Sequence, residues 1–189
     1  MERLLWYFIL YSFLGFLVEV AFARAVRAEK QDRKCFYFLP LCPVYGLGAL
    51  LILAPAQQLY PYPILVAVWS ALAATGAEDV MSLFYEKVLG VSFWDYTQLP
   101  GNLRGRICPL FSVFWSLLGL LSVYLIQPIA AAAADQIPTL LLRAATVALL
   151  LDGGLTVFLL RKTGSTDVLC WYRRLSLPIL PNSESNLKN

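Results

Sequence analysis

Residues 78–108 read EDVMSLFYEKVLGVSFWDYTQLPGNLRGRIC. The stretch begins inside an apolar helix, leaves it at Glu86 and Lys87, and crosses a loop of aromatics, Gly and Pro. It then re-enters apolar sequence through Arg104, Gly105 and Arg106. Polar residues gather here between two apolar runs, each long enough for a membrane span of about 20 residues. Such punctuation predicts an all-α, polytopic transmembrane bundle. The whole chain agrees, since 189 residues that are 59% hydrophobic and 14% charged are too apolar for a soluble domain. The mean hydropathy is +0.66.

Working outward, about five spans are expected, near residues 4–22, 43–59, 63–85, 107–126 and 138–160. Together they form a single transmembrane domain over 1–162, followed by a cytoplasmic tail over 163–189. Leu169 to Leu175 (LCWYRRL) is aromatic and basic and suits the membrane interface. From Pro181 the tail is polar and is expected to be disordered. A cleaved leader is not expected, because Met1-Glu2-Arg3 has no net positive charge and Glu19 interrupts the first apolar run.

Lys and Arg set the orientation. Arg24, Arg27, Lys30, Arg33 and Lys34 follow the first span, and Lys87, Arg104 and Arg106 follow the third. Arg161, Lys162, Arg173, Arg174 and Lys188 follow the fifth, whereas the opposite side carries only Arg3. The positive-inside rule puts the N-terminus outside and the C-terminus in the cytoplasm. The net charge of +3 therefore reflects topology, and no nucleic-acid partner is expected. The chain has no histidine, which removes the commonest metal ligand and the usual general base. Cys35, Cys42, Cys108 and Cys170 lack the spacing of a zinc site. No metal and no cofactor are expected.

Intramembrane acids carry the strongest functional signal. Glu19, Glu78, Asp79 and Asp152 fall inside predicted spans, where a lipid-facing charge costs roughly 2.5–3.5 kcal/mol or more. Glu78 lies nine residues above Lys87 and Asp152 nine above Arg161, some 13 Å above the inner boundary at about 1.5 Å per residue. Glu19 lies lower. These groups could converge in the inner half of one bundle, with Glu78, Ser82 and Glu86 forming one helical stripe. The structural account is that the acids pair with Arg or hydroxyls to hold the bundle. Pro40-Leu-Cys-Pro-Val-Tyr-Gly-Leu-Gly48 is a second signal, a broken helix start whose free amides would suit an anion. Its plainer account is a proline cap followed by small packing residues. Trp94-Asp95-Tyr96 suits an interface, or with Asn102 and Arg106 a polar lid.

These residues resemble a known bacterial family, the ABC-transporter type IV (CmpB-type permease) proteins. The likeness rests on Glu78 with Glu86, Trp94-Asp95-Tyr96, Asn102, and Gly105-Arg106-Ile107-Cys108. Gly15 with Glu19, Leu41 to Gly48, and Asp152 with Thr156 add to it, over roughly residues 10–160. The chain departs from the pattern at Phe38-Leu39, where a Gly is usual, and at Pro109, where an apolar residue is usual. The resemblance implies a multi-pass protein of the bacterial inner membrane. There is no GxxxxGK[ST] loop, so an ATPase subunit would be a separate partner. An EAA-type coupling loop is also absent from the sequence.

The leading expectation is a transport component, as a homo-oligomer or part of a larger complex in the lipid bilayer. Its substrate site would draw on Glu19, Tyr45, Glu78, Glu86, Trp94, Asp95, Tyr96, Asn102, Arg106 and Asp152. An alternative is a membrane enzyme acting on a lipid or lipid-linked substrate. It would use Glu78 or Glu19 as acid or base and Arg106 to hold a phosphate. A third class is a non-catalytic scaffold or regulatory subunit.

Overall fold

The computed structural model describes residues 2–28 and 34–171. Helix α1 runs Glu2–Ala25, α2 Pro43–Leu53, α3 Ala56–Leu59, α4 Pro63–Phe84, α5 Pro109–Leu121, α6 Gln127–Ala134 and α7 Thr139–Thr163. Helix α4 continues through a π turn, Tyr85–Leu89, and α5 joins α6 through another, Ser122–Ile126. Among the described residues, four helices are therefore long and apolar enough to cross a membrane: Glu2–Ala25, Pro63–Leu89, Pro109–Ala134 and Thr139–Thr163. The protein is a multi-pass, all-helical membrane protein.

The second apolar stretch differs from the single span expected over 43–59. Helix α2 covers only 11 residues, about 16 Å at the helical rise, and Pro55 separates it from α3. Ahead of it, residues 34–42 run without helix into the bundle, burying Phe36, Leu41 and Cys42. Half of this passage is thus irregular backbone, which is stable at depth only when protein satisfies it. The satisfying groups are specific. Cys42 N donates to Ser12 O at 2.9 Å, and the Phe38 and Leu39 amides donate to the Asp152 carboxylate.

Prolines set three helix starts. Pro43, Pro63 and Pro109 occupy the first turns of α2, α4 and α5, where a missing N–H costs nothing. Pro128 explains the second π turn. Its ring would crowd the carbonyl four residues back, and the widened turn moves the bond to Gln127 N–Ser122 O.

Helix α2 packs between α1 and α4, and α4 packs on α5. Small residues allow this closeness. A Cβ on Gly15 would stand 2.1 Å from Tyr45 Cγ, one on Gly46 2.7 Å from Phe8 O, and one on Gly119 2.1 Å from Ser70 Oγ. Ile52, Val66, Ala74, Trp115 and Val123 form one core cluster; Tyr85, Leu89, Val91, Leu160 and Leu169 form another below it. Outward-facing Ile64, Leu72, Leu140, Leu150 and Leu151 are exposed, as side chains in contact with lipid must be. The two ends differ in charge. Arg24, Arg27, Lys34, Lys87, Arg104, Arg106, Arg161 and Lys162 mark one end, and Arg3 pairs with Asp135 at 2.6 Å at the other. Residues 172–189, where most of the interfacial segment and the disordered tail were expected, lie outside the described residues.

Candidate functional site

The loop between α4 and α5 is built by its own polar residues. Gly90, Gly101 and Gly105 have φ near +70°, and Arg104 joins them at +56°. Asn102 ties the turn by donating to Leu99 O (2.8 Å) and Thr97 O and accepting from Gly105 N (3.0 Å). Asp95 accepts from Thr97 N at 2.9 Å, and Tyr96 N donates to Gly105 O at 2.7 Å. Trp94 Nε1 donates to Arg106 O at 2.9 Å. The result is a folded cover that turns Trp94 and Tyr96 into the bundle and leaves Asp95 exposed.

Beneath the cover lies a cavity of about 180 Å³. Its carboxylates are Glu19 from α1 and Glu78 from α4, and its walls include Phe22, Tyr45, Trp94, Tyr96, Phe111 and Trp115. Glu78 is 4% exposed. It accepts from Tyr96 OH at 2.7 Å and from Trp115 Nε1 at 3.2 Å. No Lys or Arg among the described residues is within ion-pair distance of it. Burial, with the Glu78 carboxylate beside it, pushes the Tyr96 phenol well above its usual range, so it remains a hydrogen-bond donor. Glu19 Oε1 accepts from Tyr45 OH at 2.8 Å.

A second, apolar cavity of about 200 Å³ lies farther from the basic end, between α1, α2 and α5. Tyr45 and Trp115 line both cavities, with ring centroids 4.8 Å apart. Each ring is held by one carboxylate of the first cavity: Tyr45 by Glu19 and Trp115 by Glu78.

The other acids serve elsewhere. Glu86 binds Arg106 in a two-pronged ion pair, with Nη2 2.6 Å from Oε2 and Nε 3.2 Å from Oε1. Asp79 lies 4.0 Å from Nη1 of the same guanidinium. The stripe of Glu78, Ser82 and Glu86 is thus divided between the cavity and the ion pair, because the π turn and the loop cover bring Arg106 only to the lower carboxylate. Asp152, 5% exposed, does not line the cavity; it accepts from Phe38 N and Leu39 N, while Thr156 Oγ1 accepts from Tyr37 N.

Of the residues singled out in the sequence, Glu19, Tyr45, Glu78, Trp94 and Tyr96 meet at the cavity. Glu86, Asp95, Asn102, Arg106 and Asp152 do not line it. Sequence reasoning missed Trp115 and Phe111, although Phe111, Trp115 and Gly119 fall on one helical face by i, i+4 spacing. Among the described residues no group of three or more His, Cys, Asp or Glu could hold a metal ion.

No curated protein and no solved structure matches the chain. A family model does match, over residues 6–157, and its description is Putative ABC-transporter type IV. That match spans α1 to most of α7 and so includes every residue of the cavity up to Trp115. The chain belongs to the Putative ABC-transporter type IV family.

Proposed function

We propose that the chain is the membrane component of a bacterial inner-membrane transporter, with its basic end in the cytoplasm. In this reading the solute path runs through the two cavities, and the Tyr45–Trp115 pair closes it. The observation that carries this reading is that one aromatic pair forms a shared wall of both cavities. Glu19 and Glu78 hold those two rings, so a solute that engages the carboxylates competes with the bonds that keep the pair in place. These 189 residues contain no ATP-binding loop, and in this reading a separate ATPase subunit supplies the energy. Four long helices enclose little space, and a homo-oligomer or a larger complex completes the pathway.

A membrane enzyme working on a lipid is the second reading. The two carboxylate–phenol pairs, Glu78–Tyr96 and Glu19–Tyr45, favour it because they could move protons. The engagement of Arg106 by Glu86 weighs against it, since that guanidinium is already committed and does not line the cavity. A pull-down in mild detergent, with mass spectrometry of proteins and lipids, separates the two. Recovery of a nucleotide-binding subunit is expected. A chain recovered without one, carrying a single enriched lipid that is lost in Glu78→Gln, would overturn the transport reading in favour of the enzyme.

A further inference from the structure

We propose that the cavity under the loop cover binds a compact organic monocation, an ammonium group carrying small apolar substituents, with Glu78 as its counter-charge. The inference rests on the transport reading for the role of the site, but it concerns what the site recognises.

Three features of the cavity point to this chemistry. Its walls are aromatic on several sides: Trp94 and Tyr96 from the cover, Phe111 and Trp115 from α5, Phe22 from α1 and Tyr45 from α2. Aromatic faces attract cations, and most strongly where water is excluded. Some of the rings brace one another, Tyr96 stacking on Phe111 at 4.6 Å and Phe22 meeting Phe111 edge-on at 5.8 Å. The second feature is Glu78, a buried carboxylate whose hydrogen bonds come from a phenol and an indole. Neutral donors orient a carboxylate without cancelling its charge. The third is the fit of size to polarity. A small ammonium with methyl-like substituents can meet ring faces on most of its surface and one carboxylate on the remainder.

The anion alternative fails on the same geometry. The start of α2 would be the anion-binding element, but one of its first amides is missing and another is occupied. Pro43 has no N–H, and Tyr45 N donates to Cys42 O at 3.1 Å. Lys34 stands among the lining residues, but its ammonium donates to Tyr37 O and lies 5.7 Å over the Trp171 ring. Arg106 is held by Glu86.

Calorimetric titration of the full chain in lipid nanodiscs tests this with three probes that share a trimethyl head. These are choline, its neutral carbon isostere 3,3-dimethyl-1-butanol, and the anion trimethylacetate. Choline is expected to bind at least about tenfold more tightly than the isostere, since a desolvated charge partner is at stake. Glu78→Gln should remove that preference, Trp94→Leu should weaken choline several-fold, and Asp135→Asn at the far end should leave it unchanged. Equal binding of choline and the isostere, tighter binding of trimethylacetate, or no binding of choline would each overturn the proposal. The comparison of probes on the wild-type chain stands even if Glu78→Gln fails to fold. Mass spectrometry of the same preparation for a nucleotide-binding subunit reports separately on the transport reading. A recovered subunit with no choline preference sinks only the ligand class, and a choline preference without a subunit sinks only the transporter.

Discussion

Asp152→Ala should loosen the entrance to the second helix. The carboxylate is 5% exposed and accepts from Phe38 N at 3.0 Å and Leu39 N at 2.7 Å, with Thr156 Oγ1 accepting from Tyr37 N at 3.0 Å one helical turn away. Three successive amides of a non-helical segment are thereby satisfied by one face of α7. Removing the carboxylate deletes two charge-assisted bonds, each worth about 1.5–3 kcal/mol, and leaves two partly buried N–H groups without their acceptor. A loss of about 3–5 kcal/mol follows, whereas Asp152→Asn keeps one acceptor oxygen and should lose about half as much. In a thermal-unfolding series in one detergent, 3 kcal/mol corresponds to a drop of roughly 6–12 °C for a chain of this size. Maleimide labelling gives a local readout, because Cys42 is 3% exposed behind the segment that Asp152 holds. Its labelling should rise in Asp152→Ala well below the melting temperature. If Asp152→Ala melts with the wild type and Cys42 stays protected, the amide-binding role is wrong.

Three other outcomes follow from particular contacts. A Cβ on Gly119 would meet the Ser70 side chain at 2.1–2.2 Å but Ser70 Cα only at 3.6 Å. Gly119→Ala should therefore cost about 1–3 kcal/mol, and Ser70→Gly in the same chain should restore most of it in thermal unfolding. Cys35 and Cys42 have sulfurs 3.3 Å apart and both line the cavity, so mild oxidation should join them. Peptide mass spectrometry should find that disulfide in preference to any with Cys108. For orientation, a C-terminal fluorescent-protein fusion should fluoresce and a C-terminal alkaline-phosphatase fusion should be inactive; the reverse pattern would refute a cytoplasmic C-terminus.

The helices and most of their starts were legible because lipid imposes length and apolarity, and because proline marks first turns plainly at Pro43 and Pro63; the fourth span, expected from 107, starts at Pro109. The division of the second apolar stretch was legible in principle too, since Pro55 interrupts it. Composition hid it, because residues 43–59 are as apolar as a true span. The site was harder to read. Depth along each helix predicted that Glu78 and Asp152 would share a level, but depth does not say which way a side chain points around its helix. Asp152 faces the irregular segment before α2, and Glu78 faces α5. Arg106 was read as a site residue because it could join a polar lid or hold a phosphate; which acid it meets depends on the loop fold, which no local pattern encodes. Trp115 looked like an ordinary apolar residue of a span until its indole N–H proved to need an acceptor.

The acids of this bundle divide by the kind of partner each has, and that division bears on function more than their number does. Asp152 is enclosed by backbone amides of a segment it fixes in place, and Glu86 by a guanidinium. Both arrangements satisfy the carboxylate within the chain, so neither leaves a demand that a ligand could meet. Glu78 is different. Its donors are the phenol of a loop residue and the indole of a ring that also borders the second cavity. Charge that is oriented but not neutralised is costly at this depth, and only a proton or a visiting cation can remove the cost. In the transport reading proposed above, either arrival would compete with the bond that holds Trp115. On that proposal, occupancy of the cavity and the position of the aromatic pair would be one equilibrium, because a ligand shifts two states only by its preference between them.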